Sequence, residues 1–196
     1  MLATEPVKWL YSLIYTRHGF ASLASVHAQP EPLTRALTSS ADDPQALRQA
    51  YDSYALSREP QAFISLLNGD TQIPASWLLK YHLEQGERLS IQALDEVYRA
   101  LPLLTLWPAR LHFLQSMAYL PVPDAHKLST YVFVKTHLTD ENKFVRAWSY
   151  HGYYYLARQF PEYRSEFNDC AEMAMMDEAP SVLTRLRKLL KQGFDA

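Results

Sequence analysis

From residue 43 to the C-terminus, apolar positions recur at steps of three and four rather than two, the period of a helix with one buried stripe. Leu47, Ala50, Tyr51 and Tyr54 form such a stripe behind Asp43-Pro44, a good helix start, and predict a helix reaching about Ser57. Short helices are expected over 60–67, ended by Asn68-Gly69-Asp70, and over 74–85, stopped by Gly86. Three pairs then follow: 90–104 with 108–120, 124–138 with 142–160, and 162–176 with 179–192. Before residue 43 the pattern is looser. A helix entered through Thr4 and Pro6 and closed by Gly19 is expected, then a short one around 33–37. Tyr131-Val132-Phe133-Val134 is β-prone by composition, yet it lies inside a helical period between Asp124 and Asp140 and is expected to be helical. No alternation of period two is long enough for a sheet, so an all-α chain of about nine to eleven helices is expected.

The paired helices repeat. The segment from Leu138 through Asp140, Glu141 and Val145 to Arg146 is echoed 37 residues later by Met175 through Asp177, Glu178 and Val182 to Leu183. Aligning the three second helices superposes Arg110, Arg146 and Leu183 at one position and Leu120, Leu156 and Leu190 near another. A period of this length is that of stacked helical hairpins, an α-solenoid. The expected organisation is a single domain over 1–196, with capping helices in 1–57 and hairpins in 58–196.

The pattern resembles HEAT repeats, in which an Asp in the inter-helix turn and a Val-Arg pair open the second helix of each hairpin. Asp140, Val145 and Arg146 match that motif, and Asp177 and Val182 match it in part. Leu104 stands where the first hairpin would carry its Asp, and Leu183 replaces the last Arg. The resemblance covers about half the chain. It implies a right-handed α-solenoid of stacked antiparallel hairpins, with Asp140 capping nearby N–H groups and pairing with an arginine as part of a ladder between repeats. HEAT-like stacks serve as scaffolds, inhibitors, cargo carriers and, rarely, enzymes, so fold alone assigns no activity.

Composition narrows the partners. The chain has 196 residues, 48% of them hydrophobic and 20% charged, enough for one well-buried domain. Prolines at positions such as Pro44, Pro60, Pro74, Pro108, Pro161 and Pro180 fall where helices would start or stop. A formal net charge of −2 leaves no strong footprint for nucleic acid or an anionic membrane. The lone Cys170 precludes an internal disulfide, suits a reducing, cytoplasmic location and has the spacing of a buried helix face. No run approaches the roughly 18 apolar residues of a membrane span. Arg17 and His18 interrupt the first apolar run, which argues against a secretion signal.

Candidate chemistry is sparse. The seven histidines include no pair at i, i+4 and no HExxH, and no phosphate loop or nucleophile elbow is present, so neither metal, cofactor nor catalytic residue is expected. The acid pairs Asp42/Asp43, Asp140/Glu141 and Asp177/Glu178 stand at helix starts, where carboxylates cap N–H groups. The unusual stretch is 148–155, dense in Tyr and Trp. Val145, Ser149, Gly152, Tyr153 and Leu156 share the face that packs on a neighbouring helix, with Gly152 allowing close approach. Trp148, His151 and Tyr155 share another. By the repeat register, Trp148 aligns with His112 and Arg185, His151 with Gln115 and Lys188, and Tyr155 with Tyr119. Side by side these make an aromatic, mildly basic strip on the second helices. Tyr, Trp and Arg are the residues in which binding energy concentrates. The leading expectation is therefore a non-enzymatic scaffold binding a protein partner through this strip. The rivals are a nucleic-acid binder akin to HEAT-like DNA glycosylases, favoured by the interleaved Arg110, Arg146, Arg185 and Lys188, and a small-molecule binder using the Tyr/His/Trp cluster.

Overall fold

Local signals set the helix boundaries in the computed structural model, which describes residues 31–41 and 43–194. The helix expected before Gly19 lies outside the described residues. Among those described, all regular structure is helical: α1 (Glu31–Ser39), α2 (Pro44–Ser53), α3 (Gln61–Ile64), α4 (Gln72–Glu84), α5 (Ile91–Arg99), α6 (Trp107–Ser116), α7 (Lys127–His137), α8 (Lys143–Gln159), α9 (Arg164–Asp177) and α10 (Pro180–Gln192). Asp43 caps α2 by accepting the Gln45 and Ala46 N–H groups at 2.9 and 3.1 Å, and Ser90 caps α5 through the Ala93 N–H at 3.2 Å.

Several boundaries correct the expectations. Helix α2 stops at Ser53 rather than Ser57 because Ala55 turns left-handed at φ 49°. Leu56 N–H then donates to the Tyr51 carbonyl and Ala55 N–H to that of Asp52, a Schellman closure with alanine where glycine is usual. Leu56 swings into the core, and Tyr54, expected in the buried stripe, is left exposed. Helix α4 starts two residues before Pro74, since proline is tolerated in a first turn whose N–H groups have no intrahelical partner. Tight 3-10 turns at Gly69–Thr71, Asp124–His126 and Pro161–Tyr163 lead into α4, α7 and α9. Residues 131–134 are helical within α7, where Val132, Phe133 and Val134 are buried.

Buried side chains from Leu33 to Leu189 form one contiguous cluster. Within it the even-numbered helices pack in series, α4 on α6, α6 on α8 and α8 on α10, while α7 and α9 also pack against α8. Each turn preceding α6, α8 and α10 is tied by a side chain from the even helix before it. Gln72 accepts the Leu106 N–H at 2.8 Å and donates to the Thr105 hydroxyl at 3.2 Å. Arg110 lies 3.3 Å from Asp140, and Arg146 makes a two-pronged pair with Glu178 at 2.9 and 3.1 Å. Asp140 also accepts the Asn142 N–H at 2.9 Å. The second acid is thus Glu178, not the aligned Asp177, which ends α9. Gln72 fills the same role in a hairpin with no recognisable motif. His137 completes the second tie: its Nδ1–H donates to the Phe133 carbonyl, leaving Nε2 to accept from Arg110 at 3.3 Å.

Candidate functional site

The strip is set by how deeply α8 is sunk. Val145, Ser149, Gly152, Tyr153 and Leu156 are all buried. A Cβ on Gly152 would come within 2.6 Å of Met117 Sδ and 3.2–3.3 Å of Leu114 and Val134, so the absent side chain lets α8 close on α6 and α7. Tyr153 reaches through to α9, donating to Glu166 at 2.8 Å. The opposite edge of α8 presents Trp148, His151 and Tyr155 toward α10 and the end of α6.

Trp148 is half-buried, and the Arg185 guanidinium carbon sits 3.5 Å from its ring centroid. The His151 ring lies edge-on to Trp148 with centroids 4.7 Å apart and meets Tyr155 at 4.8 Å. His151 is 8% exposed, and neither ring nitrogen has a hydrogen-bond partner among the described residues. Burial, then the charges of Arg185 and Lys188, pushes its pKa down to about 3, so the ring is neutral. Burial also lowers the pKa of Arg185. Tyr155 and the exposed Tyr119 line a shallow hollow of about 360 Å³ together with Arg158.

The predicted residues separate into two groups. Trp148, His151, Tyr155 and Arg185 form one contact chain, with exposed Lys188 a turn further along α10 and Tyr119 at the far end beside Tyr155. His112 faces α4 instead, its Nδ1 3.0 Å from the Ser76 hydroxyl, with burial and Lys80 lowering its pKa to about 4. Gln115 is half-buried on α6. Two features were not anticipated. Arg158 lies 5.8 Å from the Tyr155 ring centroid, a helical i, i+3 contact that spacing could have exposed. Trp77 and Tyr81 stack at 5.3 Å with Arg48 over both, and their i, i+4 spacing was equally readable.

A second polar cluster joins α7, α8 and α9. Glu166 accepts from the Tyr131 and Tyr153 hydroxyls and from Lys135, whose amine also lies 3.2 Å from buried Cys170. Burial acts to raise the Glu166 pKa, and the hydrogen bonds from Lys135, Tyr153 and Tyr131 outweigh it and lower it. These groups satisfy one another, which is the arrangement of a structural tie between helices.

Among the described residues, no group of three or more His, Cys, Asp or Glu is placed to hold a metal, and no helix is long and apolar enough to cross a membrane. Compared with known proteins, the chain matches no family model, no curated protein and no solved structure.

Proposed function

We propose that the chain is a HEAT-like α-solenoid acting as a cytoplasmic protein-interaction module, with Trp148, His151, Tyr155, Arg185 and Lys188 as the centre of its partner-binding strip. The serial packing of α4, α6, α8 and α10 and the tie at each successive turn support the architecture. One observation carries the binding role. On a helix whose residues 149–154 are all buried, Trp148 stays half-buried beneath a guanidinium that has no acidic partner among the described residues. A large aromatic beside an arginine is the composition of an interface anchor.

A pull-down from native lysate, run in parallel with wild type and Trp148→Ala, tests this reading. Proteins captured by the wild type should be lost by a variant that keeps most of its thermal stability. Equal capture by both, or an unfolded variant, removes the strip as the binding surface.

A further inference from the structure

We propose that the partner enters the strip with a carboxylate: Trp148, His151, Arg185 and Lys188 form a receptor for an acidic side chain on an otherwise apolar protein segment. This rests on the reading of the strip as a protein-binding surface. The argument begins with charge. Arg110 and Arg146 each meet an acid, Asp140 and Glu178, whereas Arg185 has neither ion pair nor hydrogen bond among the described residues. Lys188 lies one turn along the same helix, and α10 contains no Asp or Glu at all. The like charges therefore stand uncompensated at i, i+3, a spacing at which they repel.

His151 is the second, independent observation. A neutral imidazole offers one donor and one acceptor, and both nitrogens here are buried without a partner among the described residues, although buried polar groups are normally paired. Arg185 and Lys188 are the charges that act on the ring, so one carboxylate brought between them neutralises the cations; the ring nitrogens are sealed from solvent and reach that acceptor only when the ring or its cover moves. Stacking on Trp148 restrains the Arg185 fork for bidentate binding, and the exposed part of the indole accepts the methylenes of the incoming residue.

A polynucleotide fits less well. A phosphate backbone needs cations along its path, yet the corresponding positions on α6 and the turn after it are His112, held neutral, Gln115 and Tyr119. Trp148 and Tyr155 each already carry an arginine over a face, leaving less ring for base stacking.

Fluorescence polarisation on the full chain distinguishes these occupants with three labelled probes: a peptide of alternating Glu and Leu, its Gln-for-Glu counterpart, and oligo(dT). The Glu peptide should bind about tenfold or more tighter than the Gln peptide, and Arg185→Gln or Lys188→Gln should each remove much of that difference. Arg187→Gln, which deletes the same charge from an exposed position on α10, should change affinity by no more than about twofold. Lys188 is exposed, so its variant keeps the test valid if Arg185→Gln unfolds. Three results would overturn the proposal: no binding of the Glu peptide up to about 1 mM, equal binding of both peptides, or tighter binding of oligo(dT). Trp148-dependent capture of lysate proteins alongside any of these would keep the strip as an interface and discard the carboxylate.

Discussion

Ala55 shows how one residue can end an element against its own preference. Its φ of 49° places a Cβ in the left-handed region, which is unfavourable by roughly 1–2 kcal/mol for an L-residue, and the Schellman bonds and the burial of Leu56 hold it there. Ala55→Gly should therefore raise stability by about 0.5–1 kcal/mol in denaturant titration, after allowing for the extra freedom glycine gives the unfolded chain. A loss of stability would mean that the alanine methyl contributes packing. This turn is illegible in the sequence because the usual mark of a left-handed helix stop is glycine, and none stands here. The histidines act at the same scale. The pKa values of His151 and His112 are pushed down to about 3 and about 4, and those of His82 and His137 are lowered too, so the folded rings stay neutral where the unfolded ones bind protons. The unfolded state then binds more protons below about pH 6.5, and stability must fall from there toward about pH 4, at up to ~1.4 kcal/mol per unit of depression for each ring. Urea midpoints measured across that window should decline with falling pH, and His151→Leu should flatten the decline; an unchanged slope would show that His151 is not held neutral by its site.

At the scale of elements, most helices were legible because periodicity reports the buried stripe, whereas the cross-ties were legible only where they used charge. Asp140 was readable as a cap and arginine partner. The pairing of Glu178 was not readable, since the repeat superposes Asp177 on Asp140 while the longer side chain of Glu178 is the one that reaches Arg146. Gln72 was invisible because an amide bonding to a backbone N–H leaves no charge pattern. The Arg146–Glu178 pair is two-pronged and largely shielded, with side chains 21% and 17% exposed, so it should outweigh a surface pair. A double-mutant cycle of Arg146→Ala and Glu178→Ala should give a coupling of about 1–3 kcal/mol. Asp140→Ala should lower stability by roughly 0.5–2 kcal/mol without abolishing folding. A coupling near zero in the cycle would show that the pair adds nothing beyond ordinary turn geometry.

For the whole molecule, the question is whether α8 serves the core with both of its faces or keeps one for a partner. The sequence assigned those faces correctly for the buried side, because Val145, Ser149, Gly152, Tyr153 and Leu156 follow the helical period that α6, α7 and α9 close upon. The depth of His151 and the stacking of Arg185 on Trp148 were not readable, since they depend on where α10 lies against α8 and not on spacing within either helix. Two aromatic truncations on this one helix separate the roles. Tyr153 is fully buried, T-shaped against Tyr131 and Phe167, and bonded to Glu166, so Tyr153→Ala should cost about 3–5 kcal/mol. Trp148 is half-buried and leaves Arg185 free to reach water when it is removed, so Trp148→Ala should cost only about 1–2 kcal/mol despite its larger ring. Chemical denaturation of both variants under one condition gives the comparison directly. If the two losses are equal, Trp148 fills space between α8 and α10 as Tyr153 does between α7 and α9, and the strip is removed as the proposed partner surface.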